Sequence, residues 1–246
     1  MTGNLARHAA SCHSREMRQI LRIRLIGVMV WLVLYPVAAR AAAKVHVITF
    51  GKWTTAQWFP GTGAESEKPL PLKIRALIVD GRVKEYVAGS PHEVTDRLFV
   101  VRRAFRVNDG LPDESAPRWQ WQRGGWMLVD RVTAHVAPIN LPEFDAFYSA
   151  GTWYRDYIAY CGVSDDGKKT YAMVAQLSRR KPVLKKVLSE TGVADDAAPD
   201  SACLAPSWQR SPVRVSFEQS GGVRQTFAIR GHVVDLVDDA EEEDEK

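Results

Sequence analysis

The chain is poor in the residues and spacings that most directly announce chemistry. Its 246 residues hold three cysteines and six histidines. His46, His92, His135 and His232 stand apart from one another, and none has a partner in the H-x-x-x-H or H-E-x-x-H spacing that would put two ligands on one metal. No metal and no cofactor is therefore expected. No serine sits in a G-x-S-x-G elbow. Gly61-Thr62-Gly63 lacks the strand, glycine-rich loop and helix that make a phosphate cradle. A strong charge of one sign is missing as well. The formal net charge is +4, below the basic excess of a nucleic-acid-binding domain, so no specific nucleic acid is expected as a partner.

That small net charge hides an uneven distribution. Residues 1–43 contain six arginines and one glutamate, whereas Asp238 to Lys246 contains seven acids and one lysine. The basic start precedes an apolar run, Leu25 to Ala39, which ends in small residues. This order of basic, apolar and A-x-A segments is that of a secretory signal peptide, with cleavage near Ala41 or Ala43. The run falls short of the ~20 residues that span a bilayer. The expected location is periplasmic or extracellular, and an N-terminally membrane-anchored form is the alternative. Met17 is a second candidate start. The expected organisation is a signal peptide over 1–43, a single β-rich domain over 44–237 and a disordered acidic tail over 238–246.

Export gives the cysteines a meaning. Cys12 falls in the segment to be removed, which leaves Cys161 and Cys203 in an oxidising compartment. One disulfide between them is the expectation, and two buried thiols the alternative.

The clearest structural signal is the stretch Trp153 to Leu188. Residues 154–161 alternate across a strand, Asp165-Asp166-Gly167 supplies a tight turn, and Tyr171 to Leu177 returns with apolar residues on both faces. Val183 to Leu188 follows. Further hairpins are predicted at Asp80-Gly81 between 72–79 and 82–87, at Gly124-Gly125 between 118–122 and 126–130, and at Gly221-Gly222 between 212–218 and 223–230. Gly89 to His92 reads as a turn, Arg97 to Val107 as a strand and Gly51 to Pro71 as an aromatic loop. Pro142 to Ala150 carries the one helical turn expected in its half. The fold class is all-β, built of antiparallel hairpins in a partial propeller-like or two-sheet sandwich arrangement, with little helix.

A faint repeat runs through it. Trp126 to Ile139 aligns without gaps on Tyr171 to Leu184, an offset of 45 residues within the range of propeller blades. The turn Ser164-Asp165-Asp166-Gly167-Lys168 resembles the S-x-D-G-K turns of TolB-like β-propeller proteins. Over some 15 residues, that resemblance implies blade-like hairpins.

Two groups of side chains are candidates for binding. Seven of the eight tryptophans follow residue 43, and Trp119, Trp121 and Trp126 cluster around one predicted hairpin. Rings in a row stack on sugars; they also fill β cores. Lys168, Lys169, Arg179, Arg180 and Lys181, with Lys185 and Lys186, gather positive charge at the turns of the central hairpins. They would face an anionic partner or form a solvated rim. Asp165 and Asp166 are potential acids, but their place beside Gly167 is that of turn residues. The expected function is a non-catalytic binding or scaffolding module of the cell envelope, whose partner is a glycan or an anionic envelope component. An envelope glycan hydrolase using dispersed carboxylates is the alternative.

Overall fold

Alternation of apolar residues along short extended segments governs the architecture. The computed structural model describes residues 45–59, 69–110, 112, 115–193, 200–219, 224–230 and 233–237. Residues 1–43, Gly221-Gly222 and the acidic tail lie outside them. The described residues form fifteen strands and no helix, so the chain is all-β as its sequence indicates. None of their elements is a helix long and apolar enough to cross a membrane.

The first sheet contains β1 (Ile48–Phe50), β2 (Thr54–Trp58), β3 (Leu70–Val79), β4 (Arg82–Glu93), β5 (Leu98–Asn108), β6 (Trp119–Asp130) and β7 (Val136–Pro138). Strands β2 to β6 pair in sequence order and then close a circuit. A five-strand meander brings its first and last strands parallel, and β2 meets β6 through one parallel bridge, Trp58 to Trp121. Pairing of β1 with β3 and β7 with β6 extends the sheet. Inside the circuit Trp58, Leu72, Ile74, Ala88 and Ala104 pack together. Residues of the opposite parity, including Val87, Phe99, Val101, Met127 and Val129, pack under β1 and β7.

The second sheet is a meander of β8 (Gly151–Tyr154), β9 (Tyr157–Val163), β10 (Thr170–Gln176) and β11 (Leu184–Ser189). The third is a meander of β12 (Ser207–Arg210), β13 (Val213–Phe217), β14 (Gln225–Arg230) and β15 (Val233–Val237). They pack face to face, sandwich fashion. Ala159, Cys161, Val163, Ala172 and Val174 meet Val215, Phe217, Phe227 and Ile229 in one core. The intervening residues Ile158, Tyr160, Met173 and Ala175 face the other way, against Trp126, Leu141, Phe144 and Trp153. The second sheet is thus buried on both faces, as its doubly apolar pattern predicts. The expected disulfide is present. Cys161 and Cys203 are joined, with Cα atoms 6.0 Å apart and 42 positions apart in sequence, tying β9 to the segment that enters the third sheet.

Several local expectations are corrected. Gly124-Gly125 is not a turn, because β6 runs unbroken over 12 residues from Trp119 to Asp130 beside the 11-residue β5, with a bulge between the Arg102 and Ala104 pairings. Gly124 serves close approach: a Cβ there would lie 3.2 Å from both Arg103 Cβ and the Phe105 ring. Residues 89–92 stay within β4 as a bulge in its pairing with β5. The strand expected across 154–161 breaks at Arg155-Asp156, where Arg155 adopts a φ of 53° and a two-residue turn links Tyr154 to Tyr157. Thr54–Trp58 is a strand within the expected aromatic loop.

The helical turn expected in residues 142–150 is present as a single turn, the Ser149 amide donating to the Asp145 carbonyl at 2.9 Å. The Asp145 side chain accepts from the Phe147 and Tyr148 amides, at 2.7 and 2.9 Å, and so caps that turn. The two segments of the 45-residue repeat are both antiparallel hairpins, but Val129 pairs with Val136 whereas Val174 pairs with Leu184. The repeat is one of topology, not of register.

Candidate functional site

The tryptophans divide into two environments. Trp119, at the start of β6, is 57% exposed. Trp121 meets Tyr86 edge to face at 5.0 Å. The Arg106 guanidinium lies 5.6 Å from the Trp119 ring and 5.5 Å from that of Trp121, a spacing suited to cation–π attraction. Trp121 and Tyr86 line a depression of about 470 Å³, together with Thr54, Thr55, Gln57 and Arg75. Arg75 stands over Phe50 at 4.0 Å and Trp53 at 4.3 Å, and burial pushes its pKa down.

Trp126 belongs elsewhere. Five residues further along β6, some ~16 Å at strand rise, it packs edge to face on Trp153 at 5.4 Å, against the second sheet. Its placement follows from the continuous strand: with no turn at Gly124-Gly125, Trp126 cannot fold back beside Trp119 and Trp121.

The basic residues also divide, because β10 separates their turns. At one end, Asp166 organises the β9–β10 turn by accepting from Ser164 Oγ at 2.6 Å and from the Lys168 amide at 3.1 Å. The Ser164 bond leads the effects that hold the Asp166 carboxyl below its usual range. Lys168 lies 3.9 Å from Asp166, and Lys169 pairs with Glu190 at 2.9 Å. The Glu190 bond raises the Lys169 pKa. Asp165-Asp166 is turn geometry, consistent with its sequence context.

At the other end, ~23 Å away along a seven-residue strand, Arg179, Arg180 and Lys181 are exposed and form no ion pair with described residues. They edge a cleft of about 450 Å³ between β7 and the β10–β11 turn. Its floor includes Leu128, Ile139, Leu141, Ile158 and Ala175, and no carboxylate lines it. Gln176, in its wall, donates to Asp156 at 2.8 Å.

A part-buried electrostatic cluster escaped the sequence reading. Arg123, near the middle of β6, makes a two-pronged pair with Asp200 at 2.6 and 2.9 Å, and donates to the Phe147 carbonyl at 2.9 Å. Arg102 on β5 donates to the Ala146 carbonyl at 2.8 Å and approaches Asp200 at 3.9 Å. Burial, then the neighbouring Arg123 charge, lowers its pKa to about 10. Asp200 and Asp145 oppose that shift. Two cations facing two carboxylates and a set of carbonyls make a clamp on the 141–150 loop, with little charge left for a ligand. The available sequence signal was an arginine set inside the apolar run F-V-V-R-R-A-F, where burial without a partner would be costly.

A third, open depression of about 520 Å³ contains Glu93, Asp96 and Arg131. Arg131 occupies the carboxylate of Glu93 at 2.8 Å and donates to the Asp96 carbonyl at 3.3 Å. Among the described residues no group of three or more His, Cys, Asp or Glu is placed to hold a metal ion. The aromatic depression and the cation-edged cleft offer surfaces for stacking and for anion attraction, without an acid–base pair in either lining. Comparison with protein-family models, curated proteins and solved structures found no match to this chain.

Proposed function

We propose that the chain is an exported, non-catalytic binding or scaffolding module of the cell envelope, with a glycan as the partner of its aromatic surface. The observation that carries this reading is the conjunction of Trp121, Tyr86 and Arg106 beside an exposed Trp119, above a depression whose wall includes Thr54, Thr55 and Gln57. Aromatic faces take the apolar faces of a sugar ring, and hydroxyl and amide side chains take its hydroxyls. The basic leader and A-x-A sequence support export, and the disulfide fits an oxidising compartment.

The hydrolase reading requires two carboxylates facing a sugar across one cleft, and the lining of the aromatic depression contains none. Titration of exported protein with soluble peptidoglycan fragments, followed by tryptophan fluorescence, tests the proposal. A saturable spectral change that Trp121→Ala removes and Trp119→Ala weakens is expected. A flat titration, or one indifferent to both substitutions, rejects the glycan assignment; release of shortened glycan chains would reject a non-catalytic role.

A further inference from the structure

The geometry points to a second ligand site, the cleft between β7 and the β10–β11 turn, with a monomeric long-chain carboxylate as its occupant. This site is separate from the aromatic depression, so either assignment can fail without the other.

The argument begins with the sheet junction. The second sheet turns Ile158 and Ala175 toward the first, while β6 contributes Leu128 and the chain leaving β7 contributes Ile139 and Leu141. These side chains leave an apolar floor between two sheets. The cleft's volume of about 450 Å³ lies in the lower half of the ~300–1,000 Å³ typical of small-molecule sites, which favours one extended chain over a branched or two-chain lipid.

The turn then supplies the opposite chemistry. Its residues Arg179, Arg180 and Lys181 are three successive cations, and they are the charged residues of the lining. At the other end of the same sheet, Lys168 and Lys169 have acidic neighbours in Asp166 and Glu190. Here Asp156 engages Gln176, not the cations. An apolar floor and an uncompensated cationic rim match a ligand with a hydrocarbon body and one acidic end: the chain replaces water on the floor, and the head group meets charge-assisted donors. A small inorganic anion would leave the floor wet, and an uncharged chain would leave the rim unused.

The test uses cis-parinaric acid, whose fluorescence rises on entry into an apolar site, titrated into the full exported protein. Saturable binding, displaced by palmitate and not by hexadecanol, is expected. The triple substitution Arg179→Glu, Arg180→Glu, Lys181→Glu changes exposed turn residues and should weaken binding by about tenfold or more. Ala137→Trp, which fills the cleft from β7, should abolish binding while retaining the wild-type thermal transition. The pair Lys168→Glu, Lys169→Glu at the opposite turn should leave it unchanged. Indifference to the triple substitution, equal displacement by hexadecanol, or binding seen only with vesicles of anionic phospholipid and not with monomeric parinarate would each overturn the assignment.

Discussion

The two faces of the second sheet are buried by different means. Toward the third sheet, small and branched side chains meet directly: Ala159, Ala172 and Val174 against Val215, Phe217 and Phe227, with the buried disulfide among them. Toward the first sheet, the 141–150 loop intervenes. Phe144 from that loop meets Tyr160 edge to face at 5.2 Å, and Phe147 meets Trp58 at 5.8 Å. Polar bonds hold its backbone. Tyr160 donates to the Pro142 carbonyl at 2.6 Å, the Val163 amide donates to Glu143, and Arg102 and Arg123 take the carbonyls of Ala146 and Phe147.

Gly162 permits this approach. A Cβ there would stand 2.9 Å from both Glu143 Cβ and Met173 Cγ. One face is therefore specified by direct packing, and the other by packing together with the hydrogen bonds that hold the intervening loop. Burial, followed by the Glu143 charge, pushes the Tyr160 phenol upward in pKa, keeping it a neutral donor to Pro142.

This contrast predicts a graded response to substitution. Phe217→Ala removes a fully buried ring from the directly packed face and should cost about 3–5 kcal/mol in chemical denaturation. A loss below that of a surface substitution would show that the third sheet is not packed through this ring.

Replacing both Cys161 and Cys203 by Ala should cost about 2–4 kcal/mol, by freeing a long loop in the unfolded chain. An unchanged midpoint would mean that packing alone holds this core together.

Arg123→Met keeps much of the side-chain volume and removes the bonds to Asp200 and Phe147. Charged hydrogen bonds of this kind contribute about 1–3 kcal/mol, and Asp200 is partly exposed, so the smallest loss is expected here. Hydrogen exchange should become faster at the Phe147 and Tyr148 amides while that of the Val215 amide holds. Equal acceleration on both faces would dissolve the distinction between them.

The directly packed face was legible in the sequence. Residues 157–163 and 170–176 are apolar at both parities, the turn between them carries Asp and Gly, and the even cysteine count after residue 43 pointed to the bond that is present. The loop-mediated face was not legible. Arg102 and Arg123 lie 21 positions apart, and their common ligand, the 145–149 backbone, has no side-chain signature. Gly124-Gly125 offered the composition of a hairpin, but the partner strand decides whether paired glycines turn or flatten, and β5 is long enough to hold β6 straight. Short strands β2, β8 and β12 span four to five residues, too few to show alternation.

The candidate sites follow the same logic. The two basic turns differ already in sequence, since Asp165 and Asp166 accompany Lys168 and Lys169 while no acid accompanies Arg179, Arg180 and Lys181. Only folding adds Glu190 to Lys169 and sets the second turn beside an apolar cleft.

The outer strand β11 bears on how copies of the molecule behave toward one another. Among the described residues it pairs on one side only, with β10, so its other backbone edge could accept a strand from a second molecule. Lys185 and Lys186 lie side by side on it. Lys185 turns back over Tyr171 at 4.4 Å and bonds Glu143 at 2.6 Å, while Lys186 remains exposed. A second copy approaching in register would have to bring its own lysines against these, at a cost in repulsion and lost hydration. Of the two residues read in the sequence as part of a ligand-binding patch, Lys185 is thus engaged within its own molecule, and Lys186 is placed to oppose edge-to-edge pairing.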